Sequence, residues 1–136
     1  MQVGETLLFE SREAWSTWLA EHHRAKAEIW LISYKKGSGK HALDYDATLD
    51  EALCFGWIDG QIKSINADSF VTRWCPRRPR SNWSATNRAR ARRLIEAGLM
   101  AQAGVAALPP DLRVELGLDP PRGGHDPDRA ADVCPP

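Results

Sequence analysis

The chain has 136 residues, 43% of them hydrophobic and 26% charged, and its formal net charge is zero. That describes one small domain of ordinary globular composition. No apolar run approaches the roughly 18 residues of a membrane span, and a sequence pI of about 6.9 argues against a dedicated nucleic-acid binder, which is usually basic overall.

The N-terminal ten residues lack the basic and apolar regions of a signal peptide. Cys54, Cys75 and Cys134 make an odd count without metal-type spacing, which fits free thiols in a reducing compartment. A cytoplasmic location is therefore expected, with no metal and no cofactor. Six tryptophans in so short a chain must be mostly core, since each buries roughly 200 Å².

Ser11 is a good N-cap for a first helix, with Glu13 in its first turn. Trp15, Trp18, Leu19 and His22 recur at helical spacing, so this helix lays its tryptophans on the core. His22 and His23 close it, where imidazolium suits the negative end of the helix dipole. Residues 28–35 are apolar on both alternating faces, which predicts a central strand. Lys36-Gly-Ser-Gly-Lys40 makes a turn that lacks the spacing of a phosphate loop.

A second helix begins after Asp44 or Asp46, buries Leu49, Ala52 and Leu53, and stops at Gly56 in the left-handed conformation. Trp57-Ile-Asp-Gly60 is expected to turn on Asp-Gly and lead into a hairpin of strands 61–65 and 70–75, joined by Asn66-Ala-Asp-Ser69. Pro76 and Pro79 end the pairing, because neither can donate a ladder hydrogen bond. A third helix follows Ser81 or Ser84 with Ala91, Leu94 and Ile95 inward, and a short fourth covers 100–108. The fold class is thus α+β: a small, mainly antiparallel sheet of three or four strands flanked by about four helices, over residues 1–108. Seven of the nine prolines lie in 109–136, a segment expected to be mostly disordered beyond a turn at 111–116.

Between Arg73 and Arg93 there are eight arginines and no acid. Helix N-terminal turns usually carry acids, so arginines there repel the dipole unless an anion is present. Arg73, Arg77, Arg78, Ser81, Trp83, Ser84, Asn87 and Arg88 form a candidate seat for a phosphate or carboxylate. The competing reading is a solvated helix face whose arginines pair with acids elsewhere, such as those of the second helix. Arginine beside exposed tryptophan also allows single-stranded nucleic acid, by neutralisation and stacking.

Cys54, Trp57, Asp59 and Trp74 would line the adjoining groove. Cys54 ends a helix, where the dipole does not lower a thiol pKa, and its neighbours are apolar, so a buried inert thiol is expected. His41 lies in a polar turn with no rule bringing it to Cys54. Asp59 reads first as a turn residue, then as a partner for Arg77 or Arg78, and last as a general base.

The segments Ala52-Leu-Cys-Phe-Gly-Trp-Ile-Asp-Gly60, Pro76-Arg-Arg-Pro-Arg-Ser-Asn-Trp-Ser84 with Asn87-Arg, and Ala97-Gly-Leu-Met-Ala-Gln-Ala-Gly104 resemble the bacterial YdeI/OmpD-associated family, also labelled bacteriocin-protection. The resemblance spans about residues 9–108 and carries over no catalytic residues. It implies protection against bacteriocins or antimicrobial peptides and an envelope association. The residues themselves point to a non-enzymatic domain that holds an anionic small molecule or protein partner through the arginine segment, and the stress-protection role rests on the resemblance alone. The family continues into a basic helical segment where this chain has a Pro/Gly/Asp tail, which the resemblance marks as truncated or frame-altered. The alternative is a small enzyme with Cys54 or Asp59 as the reactive group and the arginines orienting an anionic substrate.

Overall fold

The computed structural model describes residues 3–78 and 82–118. Its fold is α+β, with a four-stranded sheet in the order β1-β2-β4-β3. β1 (Thr6–Leu7) is parallel to β2 (Ile29–Tyr34), and β2 and β3 (Trp57–Ser64) are both antiparallel to β4 (Ser69–Pro76). The 28–35 segment is an interior strand, as its two apolar faces predict.

Each major helix starts where its cap residue directs. Ser11 accepts the amide of Ala14 to open α1 (Arg12–His22). Asp44, rather than Asp46, accepts the amide of Ala47 at α2 (Tyr45–Cys54). Ser84 accepts the amide of Asn87 at α3 (Ala85–Glu96). Such side-chain oxygens satisfy amides that the first turn leaves without helical partners. Gly56 follows α2 at φ +78°, the left-handed stop that glycine tolerates best.

α1 and α2 pack on one face of the sheet. Trp15, Leu19, Ile29, Leu31, Leu53, Trp57 and Trp74 form the main core, and the Trp15 indole donates to the Thr48 carbonyl at 3.0 Å. Trp18 stacks on Trp15 with centroids 5.6 Å apart and meets Trp57 edge-on at 5.8 Å. Four of the six tryptophans are fully buried, namely Trp15, Trp30, Trp57 and Trp74.

Three expectations are corrected. Asp59-Gly60 is not a turn: β3 starts at Trp57, straight after Gly56, and the pair sits inside the strand beside a register shift between Asp59 and Ile62. Cross-strand pairing with β4 has overridden the local turn preference, leaving a bulge. The chain also keeps packing past residue 108. α4 is the shorter Gln102–Ala106, but α5 (Pro110–Glu115) is a helix whose Leu112 joins Ala91 and Leu108 in a second core cluster. Finally, Cys75 is disulfide-bonded, so the expectation of free thiols fails there, while Cys54 is free.

Candidate functional site

Strand alternation divides the predicted groove in two. Successive side chains of a strand point to opposite faces, so Phe70, Thr72 and Trp74 of β4 face one way and Val71 and Arg73 the other. The first set floors a pocket of about 480 Å³ that Leu31 and Ser33 of β2 and Asp59 and Ile62 of β3 extend sideways, with Tyr34 at its edge. α1 and α2 cover only the first half of β2 on this face, where Ile29 and Leu31 are buried in the main core and Ser33 is half-buried. The pocket occupies the uncovered half. Its wall is the segment from Lys40 to Tyr45, which returns from the end of β2 to the start of α2. That segment is pinned by the Leu43 amide, which donates to the Phe9 carbonyl at 2.9 Å.

The pocket is apolar below and polar at its rim. Leu31, Phe70 and Trp74 contribute to the floor, and Phe9 and Leu43 to the wall. At one end the Tyr45 hydroxyl donates to Asp59 Oδ2 at 3.1 Å, with the Tyr45 ring 6.3 Å from that of Trp74. Burial, followed by the negative charge of Asp59 and its hydrogen bond, pushes the Tyr45 phenol up to about 12. The phenol therefore stays a donor across the neutral range. At the other end Lys40 Nζ lies 5.7 Å from the centre of the Tyr34 ring, and His41 follows in the chain.

Of the groove residues, Asp59 and Trp74 line this pocket, Cys54 and Trp57 do not. Cys54 is 2% exposed in the main core. Burial, reinforced by Glu51 and Asp50, pushes its thiol up to about 12. Thiolate is the reactive form, so a thiol reagent at pH 8 should leave Cys54 of the folded protein untouched and label it at the global unfolding rate. Fast labelling of Cys54, located by peptide mapping, would show that the core opens locally around it.

The arginine segment has other partners. Arg73 is ion-paired with Glu28 on the face away from the pocket. The Arg77 guanidinium donates to the Asn82 carbonyl at 2.8 Å and lies over the Trp83 ring, 4.0 Å from its centroid. Arg88 grips Asp111 of α5 through both terminal nitrogens, and Arg92 grips Glu115. Arg90 and Arg93 reach Asp50 of α2. Ser84 and Asn87 are occupied with the helix cap. Arg78 is half-buried and makes no ion pair among the described residues; Ser81 lies outside the described residues. The helical arginines thus follow the second reading of the segment, pairing with acids of α2 and α5. Trp83, the aromatic that a nucleic-acid reading needs exposed, is half-buried with one face covered by Arg77.

Lys40, Tyr45 and Thr72 went unremarked in the sequence as site residues. The signal for Thr72 was available, because it is a polar residue alternating with Phe70 and Trp74 on one face of the strand. Lys40 and Tyr45 become site residues only through the path of the 35–44 segment. Among the described residues no helix is long and apolar enough to cross a membrane, and no group of three or more His, Cys, Asp or Glu could hold a metal ion.

No curated protein and no solved structure matches the chain. A family model described as a domain of unknown function (DUF8412) matches residues 7–107. That span takes in the sheet from the end of β1 onward, α1 to α4, and every residue of the pocket; the chain belongs to this domain family.

Proposed function

We propose that this is a non-enzymatic binding domain whose ligand, a small molecule with an anionic group and an apolar body, sits in the pocket on the open half of the sheet. The observation that carries the reading is the pocket's make-up: an aromatic and aliphatic floor with a few polar groups at its rim, as ligand sites generally have. Lys40 and His41 supply the anion contact that the arginine segment was expected to supply. Binding is favoured over catalysis because Cys54, the candidate nucleophile, is buried in the core with its thiol held protonated. Asp59, the other candidate, lines the pocket with one oxygen already engaged by the Tyr45 hydroxyl. The resemblance to bacteriocin-protection proteins supports placing this binding in defence against antimicrobial peptides.

The test is thermal unfolding with phenylacetate, indole-3-acetate and inorganic phosphate at low and high salt. A ligand held only by the native state at 100 times its Kd adds about 2.7 kcal/mol. An aromatic carboxylate should raise Tm, Lys40→Ala should abolish the rise, and Arg78→Ala should leave it unchanged. A shift lost in Arg78→Ala but kept in Lys40→Ala would return the ligand to the arginine segment and overturn the pocket assignment.

A further inference from the structure

The pocket has two chemically opposite ends. Asp59 pairs with Trp74 in the β3–β4 register, whereas Tyr34, beside Lys40, pairs with Ser69 in the β2–β4 register. Five residue steps along β4 separate Trp74 from Ser69, and two strand steps separate β3 from β2. At about 3.3 Å per residue and about 4.8 Å per step, the Asp59 and Tyr34 backbones are ~19 Å apart. The Asp59 carboxylate and the Lys40 ammonium thus mark opposite ends of the pocket. Between them lies the apolar floor of Phe70, Thr72 and Trp74.

Given that this pocket is the ligand seat, we infer that its occupant is a dipolar chain: a short peptide, its free amino group on Asp59 and its terminal carboxylate on Lys40 and His41. An extended chain advances about 3.3–3.6 Å per residue, so a chain of several residues, and not a single one, spans a gap of that order. A free amino acid cannot reach both ends, and an ordinary monocarboxylate engages only one. The Tyr45 hydroxyl already satisfies one lone pair of Asp59 Oδ2 and leaves acceptor capacity for an ammonium. The adjoining rings of Tyr45 and Trp74 suit a cation as well as apolar side chains. The two charges thus set both the length and the direction of the bound chain.

The experiment is calorimetric titration of the full chain with the tetrapeptide Ala-Leu-Leu-Ala, its N-acetylated form, its C-amidated form, and octanoate. The unmodified peptide should bind at least about tenfold more tightly than either capped form, as charge-assisted hydrogen bonds are worth that much. Asp59→Asn should weaken the unmodified peptide while leaving the N-acetylated form unchanged, and Lys40→Ala should do the same with respect to the amidated form. Equal affinity for capped and uncapped peptides overturns the dipolar inference. If octanoate then still binds through Lys40, the pocket reading survives that result. No binding by any of the four overturns both.

Discussion

Replacing Asp50 by alanine should destabilise the protein by on the order of 3 kcal/mol, the cost of removing one partner from a buried ion pair, and lower Tm by about 10 °C for a domain of this size. Asp50 is almost buried on α2, with its side chain 8% exposed. It accepts from Arg90 at 2.7 Å, from Arg93 at 3.2 Å and from Arg12 at 3.4 Å, so it ties α1, α2 and α3 together. The three partners are unequal. Arg93 is 58% exposed and can turn to water, whereas Arg90 is 14% exposed and would stay where it is, with only the exposed Asp46 left to it. Exposed pairs contribute about 0–1 kcal/mol, so Arg93→Ala should cost less than about 1 kcal/mol and serves as the internal comparison.

The same carboxylate sets an acid limit. Burial works to raise its pKa, but the hydrogen bonds from Arg90 and Arg93, with their charges, outweigh burial and hold it below the usual carboxylate value. A group depressed in the folded state contributes stability above its unfolded pKa and loses it as pH falls through the folded value. Wild type should therefore lose stability steeply below about pH 4, and Asp50→Ala should show a shallower loss. Urea titrations at pH 7 and pH 3 measure both effects. An alanine variant within about 1 kcal/mol of wild type at pH 7 would mean that Arg90 finds water or Asp46 at no cost, and the carboxylate would not be the tie between the helices.

The second large effect is expected at Gly104, in α4. In a helix interior, glycine to alanine ordinarily stabilises by about 1 kcal/mol. Here the sign should reverse. A Cβ built on Gly104 would stand 2.7 Å from the Leu53 carbonyl oxygen and closer still to that of Cys54. Both are backbone atoms at the end of α2, which cannot swing aside as a side chain would. The Ala101 amide donates to the same Cys54 carbonyl at 2.9 Å, so α4 is docked on α2 by main chain against main chain. Gly56 completes the contact, its Cα facing the Ala103 carbonyl so closely that a Cβ there would stand 2.8 Å away. Gly104→Ala must therefore lift α4 off α2, at a cost of about 3 kcal/mol, the upper end for overpacking. The exposed Gln102→Ala, two residues earlier in the same helix, should change stability by less than about 0.5 kcal/mol. If Gly104→Ala were neutral or stabilising in urea, the close docking of α4 would be wrong.

Helix ends were legible in the sequence because their determinants are local. Ser11, Asp44 and Ser84 act within three residues, and Gly56 within its own φ angle. Strand 29–34 announced itself through composition on both faces. What could not be read was which residues tertiary pairing would bring together. Asp59-Gly60 carries a strong local turn preference that eight residues of β4 outvote. Arg73 and Trp74 are adjacent in sequence, yet the pleat sends one to Glu28 behind the sheet and the other to the pocket floor. The arginines of α3 looked surplus because their acids lie 40 or so residues earlier on α2 and 23 later on α5. α5 itself had a readable signal that its proline-rich surroundings masked: Pro110 at the first helical position, Asp111 in the first turn, and Leu108 and Leu112 one turn apart.

The wall of the pocket is built differently from its floor. Gly37 and Gly39 take positive φ angles of 85° and 80° with open space around them, and the segment is tied to the rest of the fold at its two ends, by Lys35 to Asp68 and by Leu43 and the Asp44 cap. Lengthening a loop costs little, about 0.6 kcal/mol per doubling. Substitutions or insertions near residues 36–41 can therefore reshape the pocket wall without disturbing the tryptophan core or the caps. The floor shares Leu31 and Trp74 with the core and is held by it, whereas the 36–41 part of the wall is not, so descendants of this chain could drift there while keeping the fold.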